Sequence, residues 1–357
     1  MSVTYDRPDQ RNLLDQTRQG VIGQPLDRPE GPLKVAGQAT YAAEYRRPAC
    51  AEGVLVGARI SKGLVTRIHR DDVLSMPGVL GVYSTHEMLR RAAQGGAGEA
   101  PMQDVHHVDF PDQPVALVVA ETFEQATAAA KALLIDYDDQ LDTARLLPSA
   151  DAAEPAKEPV EAGDLEAALK EAAHVVDVTY TTPGHASAAM EPHAAIAEWD
   201  GGKLTLHGSL QMVAFNVKEL ADSVGVDAED VRIVSPYVGG GFGSKLGISH
   251  EAVAASIAAR ELGRPVRVVM SRQQVFEAIM RRSETEQRVR LGCDDQGRLT
   301  ALAHEALISN LPEEEFAEPV TQATEFLYRG ENRRLAIQIS RINRLTAGSV
   351  RAPGEAV

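Results

Sequence analysis

Residues 235–245 read SPYVGGGFGSK: three consecutive glycines, a phenylalanine and a fourth glycine after a strand-like run. Glycines at this density let a backbone approach a bulky ligand closely and turn its N–H groups outward, a chemistry suited to anions and most simply to phosphate. Spacing tests that idea. A G-x-G-x-x-G fingerprint begun at Gly239 ends on Ser244, and begun at Gly241 it ends on Leu246, so dinucleotide binding fails in both registers. A P-loop needs Gly-Lys-Ser/Thr, whereas here Ser244 precedes Lys245 and Leu246 follows it. A tight turn relieved by glycine is the plain alternative, but four glycines around one Phe favour close approach of a ligand. The histidines offer a second chemistry. His106 with His107, and His185 with His193, match no HExxH or similar spacing, so a hydrolytic metal site is the weaker reading, and Glu191-Pro-His193 reads as structural.

The elements that must position these residues follow from periodicity. The pattern becomes β-like from GPLKVAGQATYAAEY onward, with short runs at 54–60 and 79–83 and the continuous PVALVVA from Pro114. The alanine-rich ETFEQATAAAKALLIDY then predicts a helix leaving a buried strand. LLPSADAAEPAKEPVEAGD, residues 146–164, is rich in Pro, Ala and acid without an apolar period and reads as a linker. Beyond it, Asp164 can cap a helix LEAALKEAA, VVDVTYTT is a strand, and HAAIAEWD-GG-KLTLHGSL is a hairpin turning at Gly201 and Gly202. Met212, Phe215, Leu220 and Val224 recur at near-helical spacing up to a stop at Gly225, and the strand VRIVSPYV delivers the glycine loop. A helix ISHEAVAASIAARELG, a strand VRVVMS and a hairpin turning at 294–297 complete the pattern.

Composition narrows the classes of function. A chain of 357 residues, 44% hydrophobic and only 4% aromatic, has room for two or three domains with ordinary cores. Its formal charge of −15 repels phosphate backbones, and only scattered basic pairs such as Arg281 and Arg282 oppose it, so nucleic acid is not an expected partner. No apolar run approaches the roughly 18 residues of a membrane span. Two cysteines, Cys50 and Cys293, form no CxxC and no disulfide framework, and the first residues lack a secretory pattern. A cytoplasmic location is expected, or a periplasmic one if a partner subunit carries the chain out.

The glycine loop resembles that of the molybdenum-binding large subunit of the molybdenum hydroxylases, the xanthine oxidase and aldehyde oxidoreductase family. GPLKVAGQATYAAEY and DQPVALVVAETFEQA resemble the start and end of that family's hammerhead domain. MEPHAAIAEWDGGKLTLHGSLQ and RLTAGSVRAPGEA resemble segments that reach its cofactor. The resemblance implies an α+β chain: an arm at 1–20, a hammerhead-type mixed α/β domain at 21–145, the linker at 146–164, and the first part of a molybdopterin-binding α+β domain at 165–357.

Residue by residue, Gln211 matches the glutamine whose carboxamide bonds an oxo ligand of molybdenum. Gly240, Gly241, Phe242 and Gly243 match the loop whose N–H groups reach an apical oxygen and whose ring borders the substrate, and Arg351 matches the arginine of the second cofactor loop. An anionic oxo-dithiolene centre needs fixed donors, which glycines supply from the backbone. Purine-oxidising members carry a glutamate after the loop lysine; Leu246 stands there, which favours aldehydes or apolar heteroaromatics.

The family's subunits continue for about as much chain again, so the resemblance places the general-base glutamate beyond the C-terminus and assigns no catalytic residue here. It implies an N-terminal half that hydroxylates with water-derived oxygen once completed by a C-terminal half. The resemblance further implies a molybdopterin cofactor in its cytosine dinucleotide form, and electron exit to partner subunits bearing iron–sulfur clusters and FAD, since two isolated cysteines cannot hold a cluster. The competing reading is a non-catalytic or assembly module of the same fold.

Overall fold

The computed structural model describes residues 20, 24–84, 93 and 107–357; His106 and, Gly20 apart, the arm at 1–20 lie outside them. The chain divides into two compact units, Met1–Thr40 and Tyr41–Val357. The first holds a helix, Gly31–Val35, where an extended pattern was expected: Pro32 sits in its first turn, where proline's fixed φ favours a helix, and Gly37 (φ 66°) follows its end.

Within the second unit, a seven-stranded mixed sheet runs in the spatial order Val231–Val234, Lys203–Gly208, Ala194–Asp200, Val266–Val269, Ala51–Gly57, Pro114–Ala120 and Val79–Tyr83. It takes strands from both sides of 146–164, joined where Ala51 pairs in parallel with Val266 and Gly53 with Val268. Gly53 allows that junction, since a Cβ there would stand 2.7 Å from Val268 Cγ2. All seven residues of Pro114–Ala120 are buried, as a continuous apolar run requires. Its Ala116 and Val118 pack with Ala129 and Leu133 around the helix Phe123–Ala132, and its Leu117 and Val119 join the larger core containing the helix His250–Leu262. A fully buried leucine such as Leu117 contributes roughly 1.5–3 kcal/mol.

A second sheet orders Ala153–Pro155, Arg333–Arg341, Leu299–Asn310, Thr285–Cys293 and His174–Thr182, with Val160–Ala162 also paired to Arg333–Arg341. The segment read as a linker thus supplies two short strands. Their backbone groups pair with Arg333–Arg341 across long sequence separations, a source of order that local composition does not carry. A three-stranded sheet joins His107–Val108, Gly63–Ile68 and Ile135–Asp139. The α+β class is as expected. Among the described residues no helix is long and apolar enough to cross a membrane.

Local expectations hold where backbone chemistry is specific. Gly201 (φ 53°) and Gly202 (φ 87°) make the two-residue turn between Asp200 and Lys203, and Asp164 Oδ1 accepts the Ala167 N–H at the start of Leu165–Glu171. The helix Val213–Val224 ends at Gly225 (φ 69°) and buries Leu220 and Val224 as the apolar spacing expects, but Phe215 is exposed while Asn216 and Glu219 are buried. Asn216 Nδ2 donates to the Leu246 carbonyl (2.8 Å), and Glu219 Oε2 accepts from Asn216 Nδ2 (2.9 Å) and the Ile248 N–H (2.9 Å). Satisfying the backbone of the neighbouring loop outweighs burying a phenyl ring.

At the head of Ala194–Asp200, buried His193 donates from Nε2 to the Ser244 carbonyl (2.9 Å), leaving Nδ1 buried without a partner. Burial pushes its pKa down to about 3 against the opposing effect of the Ser244 hydrogen bond, so the ring is neutral at pH 7. A depressed folded value means that the stability it confers is present above the ordinary 6.5 and is lost as pH falls toward about 3. Relative to the parent, His193→Gln is expected to flatten the decline of unfolding free energy across that window, by up to ~1.4 kcal/mol per pH unit, in denaturant titrations at stepped pH.

Candidate functional site

The strands Lys203–Gly208 and Val231–Val234 pair in parallel, His207 opposite Val234, so the chain leaves both in the same direction and side by side. Gln211 follows the first strand and the glycine loop follows the second. Topology alone therefore brings two segments distant in sequence to one end of the sheet.

Hydrogen bonds then lock them. Gln211 Oε1 accepts the N–H groups of Gly243 (3.1 Å) and Lys245 (3.3 Å), and the Gln211 N–H donates to the Lys245 carbonyl (2.7 Å). The fit excludes a side chain: a Cβ on Gly241 would lie 2.2 Å from Gln211 Oε1. The bend is tight, with Ser244 N–H (3.0 Å) and Oγ (2.7 Å) both donating to the Gly241 carbonyl. Gly240 (φ 100°), Phe242 (φ 53°) and Gly243 (φ 104°) take positive φ, and among the described residues the N–H groups of Gly240, Gly241 and Phe242 have no hydrogen-bond acceptor. Successive donors in such a bend form an anion-binding concavity. Phe242 is 43% exposed, so it is not a core aromatic.

The second loop docks on the first. The Arg351 N–H donates to the Phe242 carbonyl (2.8 Å), and a Cβ on Gly243 would fall 1.9 Å from the Ser349 carbonyl oxygen. Arg351 itself is exposed, with no ion-pair partner among the described residues. Its loop is held from beneath by Arg282, which ion-pairs with buried Glu318 (2.9 Å) and donates to the carbonyls of Val350 (3.1 Å), Arg351 and Ala352 (3.2 Å). Glu318 also accepts the Gly354 N–H (2.6 Å); burial pushes its carboxyl up, and Gly354 and Arg282 pull it back. Arg281 is buried alongside on Glu284, Ser309 and the Leu345 carbonyl, with burial pulling its guanidinium down to about 10. The basic pair noted in the sequence is thus internal scaffolding.

Gln211, residues 240–243 and Arg351 are therefore brought together. Leu246 is half-buried one turn on, its N–H on the Gly243 carbonyl (3.2 Å) and its carbonyl on Asn216. Sequence reasoning read Glu191 as merely structural, gave Lys245 and Arg282 no role at the site, and missed Ser209 behind the loop and Glu318 under it. Glu191 had a legible signal, an acid between Met190 and Pro192 in a segment otherwise turning apolar; the others had none. A separate cavity of about 660 Å³ lies at the opposite end of the same strands, between Asp200, Lys203, Glu229, Arg232 and Arg264, and contains none of the residues singled out from the sequence.

Among the described residues no group of three or more His, Cys, Asp or Glu side chains is placed to hold a metal directly. The donor set is the Gln211 carboxamide and the unaccepted N–H groups of residues 240–242, with exposed Arg351 on the adjoining loop, which fits an anionic, oxygen-bearing group held by hydrogen bonds.

Comparison with known proteins agrees. The molybdopterin cofactor-binding domain family matches residues 150–357, and the aldehyde oxidase and xanthine dehydrogenase a/b hammerhead domain matches residues 36–141. The aldehyde oxidoreductase molybdenum-binding subunit PaoC of Escherichia coli K12 is 39% identical over 362 residues, covering 99% of this chain and 48% of the relative. The indole-3-acetaldehyde oxidase of Zea mays is 26% identical over 298 residues, covering 79% of this chain and 22% of that protein. The chain thus spans about half or less of the length of these curated relatives. Among solved structures, the aldehyde oxidoreductase of Desulfovibrio gigas superposes with a TM-score of 0.79 at 25% identity, over 92% of this chain and 39% of the other. Quinoline 2-oxidoreductase of Pseudomonas putida 86 shares the fold, with a TM-score of 0.81 at 21% identity over 92% of this chain and 45% of the other. With both family matches in order along it, the chain belongs to the molybdenum hydroxylase family of aldehyde oxidases and xanthine dehydrogenases, in the part of the molybdenum-binding subunit that carries the hammerhead and the molybdopterin-binding fold.

Proposed function

We propose that the chain serves, within a molybdenum-binding subunit, an oxidoreductase that hydroxylates aldehydes or apolar heteroaromatics with oxygen taken from water. The observation that carries this reading is the convergence of the Gln211 carboxamide, the unaccepted N–H groups of residues 240–242 and the Arg351 loop at one end of the sheet. When bound, the molybdenum–pterin group supplies oxygen transfer and takes up two electrons.

The chain's own residues hold and orient. Gln211 spends its carbonyl oxygen on Gly243 and Lys245, so its amide N–H₂ is left to donate to an oxygen of the cofactor. Gly241 and Phe242 add backbone donors, and the loop that docks on them carries the exposed cation of Arg351. Such donors, fixed before the ligand arrives, cost no reorganisation. The exposed ring of Phe242 gives the substrate an apolar wall, and Leu246 presents no carboxylate to a purine, which together with the PaoC likeness favours aldehydes. The pterin in this reading is the cytosine dinucleotide form. Free Cys50 and Cys293, far apart in sequence, hold no cluster in this chain, and in this reading the electrons pass to iron–sulfur and FAD partner subunits.

Metal and pterin analysis of the subunit purified with its partners tests the reading. Molybdenum together with aldehyde-dependent dye reduction is the expected result; a folded, soluble complex devoid of both metal and pterin overturns it. Two variants probe the cradle. Gln211→Glu keeps an acceptor for Gly243 and Lys245 but replaces the amide donor by a negative oxygen, and should cut bound molybdenum at least ~10-fold, as loss of one charge-facing donor costs. Gly241→Ala should likewise strip cofactor and lower Tm, because its Cβ displaces the Gln211 carboxamide from the Gly243 and Lys245 N–H groups. Gly243→Ala should lower Tm as well, since its Cβ meets the Ser349 backbone at a positive φ.

A further inference from the structure

We infer that Glu191 is a positioning residue that sets the orientation of the loop's N–H groups and, through Lys245, of the Gln211 carboxamide; this rests on the reading of that loop as the cofactor cradle. Glu191 Oε2 accepts three donors: the Gly239 N–H (2.6 Å), Ser209 Oγ (2.5 Å) and Lys245 Nζ (3.1 Å). The Glu191 N–H returns to the Gly239 carbonyl (3.1 Å), and a Cβ on Gly239 would stand 2.5 Å from that of Glu191, so glycine is required for the approach. Lys245 is fully buried, and its ammonium also donates to Ser209 Oγ (2.7 Å) and the Glu191 carbonyl (3.0 Å). Burial lowers the Lys245 pKa, and Glu191 works against that fall.

One carboxylate therefore holds both ends of the bend. Gly239 is the residue just before the unaccepted N–H groups of 240–242, and Lys245 lies just after the turn they form. The main chain of Lys245 is also what grips Gln211, donating to its Oε1 and accepting from its N–H. A shift at Glu191 is thus transmitted to every donor of the cradle without Glu191 touching the ligand. Its Oε1 is buried with no hydrogen-bond partner, so the hydrogen bonding of the carboxylate is directed at this assembly alone. A carboxylate that merely filled a core would not be placed on the two boundary residues of a run of unaccepted donors.

The test substitutes Glu191→Gln, which can still accept from Gly239 but removes the charge facing Lys245, and Ser209→Ala, a milder change to the same assembly. Amide hydrogen exchange is measured on the purified complex, before and after chemical removal of metal and pterin. The expected result is exchange across residues 239–245 about tenfold faster in Glu191→Gln and less so in Ser209→Ala, in both preparations, with the strands Ala194–Asp200 and Lys203–Gly208 unchanged. In the loaded enzyme, cofactor release should speed up by about the same factor and kcat should fall with KM unaltered, because no substrate contact is lost. Parent-like exchange at 239–245 in both variants overturns the inference, as does a uniform rise that includes the strands. If Glu191→Gln does not fold, Ser209→Ala decides alone. A parent complex that binds no molybdenum would overturn the proposed function and leave the exchange result standing; a loaded parent whose variants exchange normally would overturn this inference only.

Discussion

A single carboxamide oxygen ties together the ends of two parallel strands. Gln211 Oε1 accepts from Gly243 and Lys245 while the Gln211 N–H returns to the Lys245 carbonyl, so the segment after Lys203–Gly208 and the loop after Val231–Val234 cannot separate without leaving polar backbone unsatisfied. An unmade buried bond of this kind costs about 1–3 kcal/mol, more than the net value of a typical bond formed. The clamp is directional as well as stable. It uses the oxygen of the amide and leaves the nitrogen, and it uses the N–H of Gly243 and leaves those of residues 240–242. The unspent donors define which way the site faces.

Around that clamp the molecule places charges in pairs that serve the backbone. Glu191 and Lys245 fix the glycine loop from behind, and Arg282 and Glu318 fix residues 350–354 from beneath. The two loops then meet backbone to backbone at Phe242 and Arg351. Buried ion pairs are weak sources of net stability, because desolvation offsets most of their attraction, yet losing one partner costs ~3–5 kcal/mol. They suit a task of specification. Each of these pairs fixes carbonyl or N–H groups that would otherwise choose among several loop conformations. The hammerhead strands contribute indirectly: the parallel junction of Ala51–Gly57 with Val266–Val269 builds them into the sheet that carries the clamp at its far edge.

Much of the local structure was legible from the residues. Pro114–Ala120 announced itself as a buried strand by an unbroken apolar run, Gly201-Gly202 as a two-residue turn, and Gly225 and Gly263 as helix stops, because each depends on backbone preference or burial that a short window contains. The helix Val213–Val224 was legible in extent, and its buried Leu220 and Val224 were too, but its buried polar side was not. Asn216 and Glu219 turn inward to serve Leu246 and Ile248, and no apolar period signals a polar residue whose partners lie some thirty positions away. The segment 146–164 looked like solvent-exposed connection for the same reason, its strand partners being near the other end of the chain.

What the sequence determined by itself is the inventory: a glycine run that accepts positive φ at Gly240 and Gly243, a glutamine, an arginine, a leucine after the loop lysine, and the segments whose order marks the family. Only the tertiary structure decided that Gln211 faces the loop, that Phe242 stays at the surface, that Arg281 and Arg282 are internal, and that Glu191 reaches both boundaries of the donor run. The physical reason is range. Backbone propensity and burial are properties of neighbours in the chain, whereas which donor meets which acceptor is set by the register of strands that pair across long separations.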